Sequence, residues 1–280
     1  MDNLNYTMLC DFYELTMGNG YFASGMHQQI CYFDVFFRQV PDGGGFAIAA
    51  GLEQIIDYVQ NLHFDRKDIE FLRSKGIFDE QFLRWLRYFR FTGDIWAVPE
   101  GTPIFPYEPI LTVRAPAVEA QLMETFLLLQ LNHQSLIATK ASRVVRAAQG
   151  RPVMEFGSRR AQGGDGAMLG ARASYIGGCV GTACTISDQL YGVPAGGTMA
   201  HSWVQMFPTE LEAFKSSLND RVTEALRENA KLRKVVDQIK AAASVEIKDA
   251  AERVDASKVA SDIMEAIDDV EPEEDEKTEE

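Results

Sequence analysis

Arg159 and Arg160 stand side by side in EFGSRRAQGGDGA, directly after the strand-like run Met154, Glu155, Phe156. Two adjacent guanidinium groups at a strand end present fixed N–H donors that match carboxylate or phosphate oxygens. That arrangement suits an anion pocket, and it also suits a solvated loop pair held by a structural salt bridge. A glycine-dense turn around Asp165 follows. Further along, His201 lies in GTMAHSW, behind a second flexible Gly-Thr segment. The stretch 151–203 therefore concentrates the candidate chemistry.

These residues need a scaffold. Pro152 leads into the 154–156 strand, residues 166–176 predict a helix ended by Gly177, Gly178 and Cys179, and 182–190 reads as a strand running into a helix. Strand and helix thus alternate over 150–205, as in a parallel α/β core. Polar residues at 157–165 and 198–202 then fall at the ends of successive strands, where barrel enzymes gather their chemistry.

Upstream, Asp11 is a candidate cap for a helix that puts Tyr13, Met17 and Tyr21 on related faces, by default a core aromatic stripe. Residues 30–38 are strand-prone, and the triple glycine at 43–45 turns the chain with no lysine motif behind it. Residues 46–62 show helical spacing. Two more helices follow over 68–90, one marked by Ile69, Phe71 and Leu72, the other by Phe82, Leu83, Leu86 and Phe89 with Asp79 as cap. The prolines at 99, 103, 106 and 109 predict short strands and tight turns over 91–114, with Gly101 in a turn. Residues 118–131 predict an apolar helix with Leu122, Phe126, Leu129 and Ile137 inward. Asn132 to Ser135 should interrupt or end it, and helical spacing resumes over 136–148. His133 reads as a structural hydrogen-bonding residue, and Arg143 and Arg146 as solvated or paired.

Composition narrows the function classes. A length of 280 residues and 46% apolar content allow one large domain or two modest ones. Four cysteines, at 10, 31, 179 and 184, have no metal-ligand spacing. They imply reduced thiols in a cytoplasmic protein, with no zinc site. No signal peptide and no membrane-length apolar run is visible. The net charge of -14 argues against an extended nucleic-acid footprint. Residues 221–280 carry 10 basic and 18 acidic side chains, so much of that charge sits in the last segment.

The pieces DFYELTMGNGYF, FDVFFRQVP with GGGFAIAAGL, LNHQSLIATKASR, EFGSRRAQGGDGA and GTMAHSW occur in this order between residue 6 and the neighbourhood of Phe214. Together they resemble the nicotinate phosphoribosyltransferase family. The resemblance implies synthesis of nicotinate mononucleotide and diphosphate from nicotinate and phosphoribosyl diphosphate in NAD biosynthesis, coupled to ATP hydrolysis with Mg2+. It implies a mixed α/β N-terminal domain packed on an incomplete (β/α) barrel of the type II phosphoribosyltransferase kind, in a homodimer with sites near the subunit interface. His201 matches the histidine that becomes phosphohistidine. Arg159 lies in the motif for nicotinate and phosphate recognition, supported by Arg160. Tyr13 and Tyr21 lie in the motif whose aromatics reach the base pocket, and Thr198 and Ser202 flank the histidine and could position phosphate oxygens. The chemistry is coherent: imidazole attacks phosphoryl groups, arginines and magnesium stabilise departing diphosphate, and an arginine facing the nicotinate carboxylate favours the acid over the amide.

The resemblance stops after Phe214. The family continues through further barrel strands, an SGD-containing strand end and glycine-rich phosphate loops, none of which is visible here. The expected organisation is therefore a mixed α/β domain at 1–118, a partial barrel with the catalytic motifs at 119–214, a charged helical extension at 215–270 and an acidic solvated tail at 271–280. In the extension, Val222, Leu226, Leu232, Val235, Val236 and Ile239 supply an irregular apolar face, and Val259, Ile263 and Ile267 a further short helix. An open barrel leaves unpaired edges that favour a partner. The alternatives are thus a truncated non-catalytic homologue, a regulatory partner, or one part of a split enzyme completed by a C-terminal polypeptide. A relative that uses nicotinamide or another pyridine base is a closer variant.

Overall fold

Asp11 leaves an extended backbone conformation and opens helix α1, Phe12–Ala23; its N–H donates to the Glu14 carboxylate at 3.4 Å and to Thr125 Oγ1 at 3.0 Å. In the computed structural model, which describes residues 5–217 and Lys234, the chain forms two units, Met1–Gly197 and Thr198–Glu280. In α1 the inner face is Leu15 and Gly18, with the partly buried Phe22 packed against the core. An added Cβ on Gly18 would meet Phe82 at 3.3 Å and Val118 at 3.4 Å, so the glycine permits close packing. The expected core stripe is corrected here. Tyr13 is 43% and Met17 49% exposed, because the faces carrying Leu15 and Gly18 turn inward instead; Tyr21 packs at the edge of the core.

Strand β1, Ile30–Val35, and the later strands β3, Asp94–Ala97, and β5, Leu111–Pro116, build one antiparallel sheet; β2, Ala47–Ile48, pairs instead with β4, Pro103–Ile104. The first sheet runs in the order β1-β5-β3, and its register puts Phe33 and Ile95 on either side of buried Val113. The opposite face carries Tyr32, Arg114 and Asp94 in one row.

Helix α2 spans Leu52–Asn61, so the helix expected over 46–62 begins later than its spacing suggested. The cause lies far away in sequence. The Ile48 N–H is taken by Thr139 Oγ1 at 2.8 Å and the Ala50 N–H by Ser135 Oγ at 3.0 Å, which draws this segment into an extended path. Gly51, at φ 108, then makes the left-handed turn that starts the helix. Helices α3, Arg66–Ser74, and α4, Glu80–Leu86, match the expected pair. Asp79 caps α4 through Gln81 N–H at 2.6 Å, and Asp65 and Asp68 cap α3 reciprocally at 2.8 and 2.9 Å. Phe82, Leu83 and Leu86 are fully buried; each contributes about 1.5–3 kcal/mol by leaving water.

A short helix α5, Ala117–Gln121, precedes the long α6, Glu124–Ala147. Three expectations fail here. The break falls at Leu122 and Met123, and Asn132 to Ser135 do not interrupt α6 at all. Two of those polar residues face protein: Gln134 and Ser135 are buried and bonded to other segments, and Thr139 also donates to the Ser135 carbonyl at 2.6 Å. Leu129, expected inward, is 45% exposed.

The β/α run begins with β6, Met154–Glu155, followed by a 3-10 turn at Ser158–Arg160 and by α7, Gly163–Ile176. Strand β7, Gly181–Thr182, pairs parallel with β6, helix α8 spans Thr185–Tyr191, and Thr182 makes a further parallel bridge to Ala195. The first unit is thus a mixed α/β fold with consecutive parallel segments joined by helices. In the second unit α9 spans His201–Gln205 and residues 210–217 are helical; the Trp203 indole donates to the Ala213 carbonyl at 3.2 Å. Apart from residues 215–217 and Lys234, the expected extension and acidic tail, with their apolar positions, lie outside the described residues.

Candidate functional site

Strand β6 delivers Arg159 and Arg160 on the turn that directly follows it, at the C-terminal end of a parallel strand. Both are exposed, and among the described residues neither guanidinium has an ion-pair partner. The salt-bridged loop reading is therefore not what the described residues form. Their donors stay available, as anion recognition requires.

Behind this turn, Glu155 and Thr182 tie the two strands together. The Thr182 hydroxyl donates to Glu155 Oε2 at 2.6 Å and accepts from Cys184 N–H at 3.0 Å, while Glu155 Oε1 accepts from Gly157 N–H. This bonding fixes the backbone that carries the arginines. Sequence reading missed Glu155; a carboxylate inside a short strand, two residues before a glycine, was the available signal.

Tyr13 projects from α1 with its hydroxyl 3.4 Å from Gln121 Nε2, which also donates to Glu124 Oε2 at 2.8 Å. Desolvation, with the Glu124 and Glu14 carboxylates nearby, pushes the Tyr13 hydroxyl up to about 12. Next to it Glu14 is buried. Its Oε1 accepts from Thr125 N–H at 3.1 Å and from the Thr125 hydroxyl, and its Oε2 has no partner. Burial raises the Glu14 carboxyl above the ordinary range despite those bonds, and burial with Glu14 and Asp11 pushes the Cys10 thiol up to about 12. A thiol held that high is not a nucleophile at neutral pH. Tyr21 is half-buried and does not join this group.

His201 and Ser202 share α9 in the second unit, with His201 its first residue, and Thr198 precedes them in the chain. All three are exposed, which leaves the imidazole and hydroxyls accessible.

A second charged cluster was not anticipated. Arg172 on α7 is nearly buried and binds Glu100 at 2.6 and 2.9 Å, Glu53, and Gln134 Oε1 at 3.2 Å; Glu100 Oε1 also accepts from Leu52 N–H at 3.0 Å. Burial works against the charge on Glu100, but Arg172 and the backbone donors outweigh it and hold its carboxyl below the usual range. This cluster joins α2, the turn before β4, α6 and α7. Its three charged members lie far apart in sequence, and the one clue was a single arginine among the small and apolar residues of AMLGARASYIGG.

Among the described residues no group of three or more His, Cys, Asp or Glu gathers to hold a metal ion, and no helix is long and apolar enough to cross a membrane.

Residues 8–132 match the family model described as the nicotinate phosphoribosyltransferase (NAPRTase) N-terminal domain. A Mycobacterium tuberculosis protein named nicotinate phosphoribosyltransferase pncB2 is 48% identical over 209 residues, 75% of this chain and 45% of that protein. A Bacillus subtilis nicotinate phosphoribosyltransferase is 42% identical over 205 residues, 73% of this chain and 42% of its own. The crystal structure of human nicotinic acid phosphoribosyltransferase superposes with a TM-score of 0.66 at 38% identity, covering 70% of this chain and 40% of that one. The nicotinate-nucleotide pyrophosphorylase from Pyrococcus furiosus gives a TM-score of 0.62 at 25% identity, covering 76% and 47%. The chain thus spans less than half the length of these relatives. Over its matched residues, the chain belongs to the nicotinate phosphoribosyltransferase family.

Proposed function

We propose that the chain supplies the N-terminal part of a nicotinate phosphoribosyltransferase, which converts nicotinate and phosphoribosyl diphosphate to nicotinate mononucleotide and diphosphate in NAD biosynthesis. The observation that carries this reading is the 48% identity over 209 residues to the mycobacterial relative of that name. The unpaired guanidinium groups of Arg159 and Arg160 support a role in holding the nicotinate carboxylate or a phosphate. Each would bind in the ground state and strengthen its hold as charge builds on the leaving diphosphate. The exposed imidazole of His201 supports its role as phosphoryl acceptor: a ring nitrogen lone pair forms the N–P bond as the bond to the departing nucleoside diphosphate breaks. ATP, when bound, supplies that phosphoryl group. Thr198 and Ser202 offer hydroxyl donors on the flanks of His201. Magnesium would enter on phosphate oxygens, which it commonly binds together with one or two carboxylates. Tyr13 and Tyr21 would contribute aromatic surface to the base pocket of a homodimer. The exposed row of Phe12, Tyr13 and Met17 on α1 supports completion of that pocket by a partner. Four free cysteines support a cytoplasmic setting.

A second reading is that the chain acts only together with a polypeptide that carries the later barrel strands. One assay separates the two. Purified chain is given nicotinate, phosphoribosyl diphosphate, ATP and magnesium, alone or with the C-terminal half of the mycobacterial relative, and diphosphate release is measured. We expect little or no turnover alone and turnover on complementation, lost with His201→Ala. Robust turnover by the chain alone would sink the complementation reading. Complemented turnover that survives His201→Ala would sink the phosphohistidine assignment.

A further inference from the structure

Between the N-terminal turn at Tyr6, α2, α6 and the start of α7 lies a cavity of about 610 Å³, within the usual range for small-molecule sites. Gln162, Asp165 and Gly166 of the Arg159 motif line it, but none of the individual residues assigned to the nicotinate chemistry does. One wall is aromatic. Tyr58 and Phe126 are both buried and stack with centroids 3.9 Å apart at 10°, and the Tyr6 ring stands 5.9 Å from Phe126. The rim is acidic. Asp57 and Asp165 line it, and among the described residues no lysine or arginine does. Asp165 is held in place by the Tyr6 hydroxyl, which donates to Oδ2 at 3.2 Å. The nearby Arg172, 5.6 Å from the ring of the lining residue Tyr191, is already matched by Glu53 and Glu100.

The cavity therefore carries two carboxylates against no lysine or arginine among the described residues, with His63 and His133 as further polar lining. A carboxylate or phosphate entering it would lose water and meet like charge. A flat aromatic cation would gain on three counts: ring surface against Tyr58 and Phe126, cation–π attraction from the tyrosines, and N–H donation to the carboxylates. We propose that this cavity is a binding site for planar aromatic cations, ring compounds with an amidinium-like or protonated nitrogen group. The nicotinate reading neither requires such a site nor accounts for it.

Calorimetric titration of the intact chain with benzamidine, benzamide and benzoate tests it, since these share one ring and differ in charge. We expect benzamidine to bind at one equivalent, about tenfold tighter than benzamide, with benzoate unable to displace it. The double variant Asp57→Asn, Asp165→Asn should weaken benzamidine by about tenfold and leave benzamide within about twofold. Leu129→Trp, at a half-exposed lining position that tolerates a larger side chain, should block both ligands while circular dichroism stays native. Absence of benzamidine binding, displacement by benzoate, or unchanged benzamidine affinity in the double variant would each overturn the proposal. None of these outcomes bears on turnover with nicotinate, so the two readings fail separately.

Discussion

Two arginine positions in the first unit show what surroundings do to one side chain. Arg172 is 10% exposed at its side chain and bonded to two carboxylates and an amide, which join four segments of the chain. Arg159 and Arg160, on the turn after β6, are exposed and have no ion-pair partner among the described residues. A guanidinium whose donors are spent on protein cannot bind substrate, and one left open adds little to stability. The comparison separates the residue that builds the scaffold from the residues it presents, and substitutions should separate them too.

The largest effect is expected at Arg172. Removal of the cation leaves Glu100 and Glu53 facing each other at a partly buried point, and breaking such a network costs about 3–5 kcal/mol. Arg172→Ala should lower the midpoint of denaturant unfolding accordingly. Arg172→Met would show whether apolar packing can replace the pair; a stability equal to the unmodified chain would mean that the cluster sets geometry rather than stability.

Next comes the contact that bent the sequence expectation. Thr139→Val keeps the shape of the side chain but leaves the buried Ile48 N–H without its acceptor, at a cost of about 1–3 kcal/mol. Amide hydrogen exchange at Ile48 should rise more than at Leu72, which lies in the core away from this contact. Equal protection in both proteins would show that another acceptor takes over.

That contact also explains how much was legible beforehand. Helices α3 and α4 were readable because their apolar spacing and Asp79 cap are local. The parallel strand at Met154 was readable from its flanking proline and glycine. The start of α2 and the continuity of α6 were not, because the polar run Asn132 to Ser135 reads as a break, and the path of residues 48–50 as helix, until the bonds from Ala50 to Ser135 and from Ile48 to Thr139 are known. The pairing of Glu100 with Arg172 is invisible for the same reason. In the site, the arginines and His201 stood out by type and motif, while the Glu155–Thr182 brace that holds the turn did not.

Acid titration sets the buried Glu14 against the partly buried Glu100. Glu100 is held below its unfolded value, so its stabilisation is present above the unfolded pKa and is lost as pH falls through the folded one. Glu14 is held above its unfolded value, so the folded state binds the extra proton and stability falls as pH rises from the unfolded to the folded pKa. Glu14→Gln should remove that decline and leave the more acidic loss, owed in part to Glu100, in place. Urea unfolding across the acid range reads both; an unchanged profile in Glu14→Gln would refute the raised carboxyl.

The smallest stability effect is expected where the proposed chemistry is greatest. Arg159→Ala removes a side chain without a described ion-pair partner, so unfolding should move by no more than about 0.5 kcal/mol. In the complemented enzyme the same change removes two or more charge-assisted donors from the proposed anion pocket. Diphosphate release should then fall steeply while the fold is kept, and Arg159→Lys should recover only part of it, because a point charge cannot reproduce the planar fork. Loss of stability comparable to that of Arg172→Ala would place Arg159 in the scaffold. Full activity in Arg159→Ala would remove it from the site and leave Arg160 as the candidate on that turn.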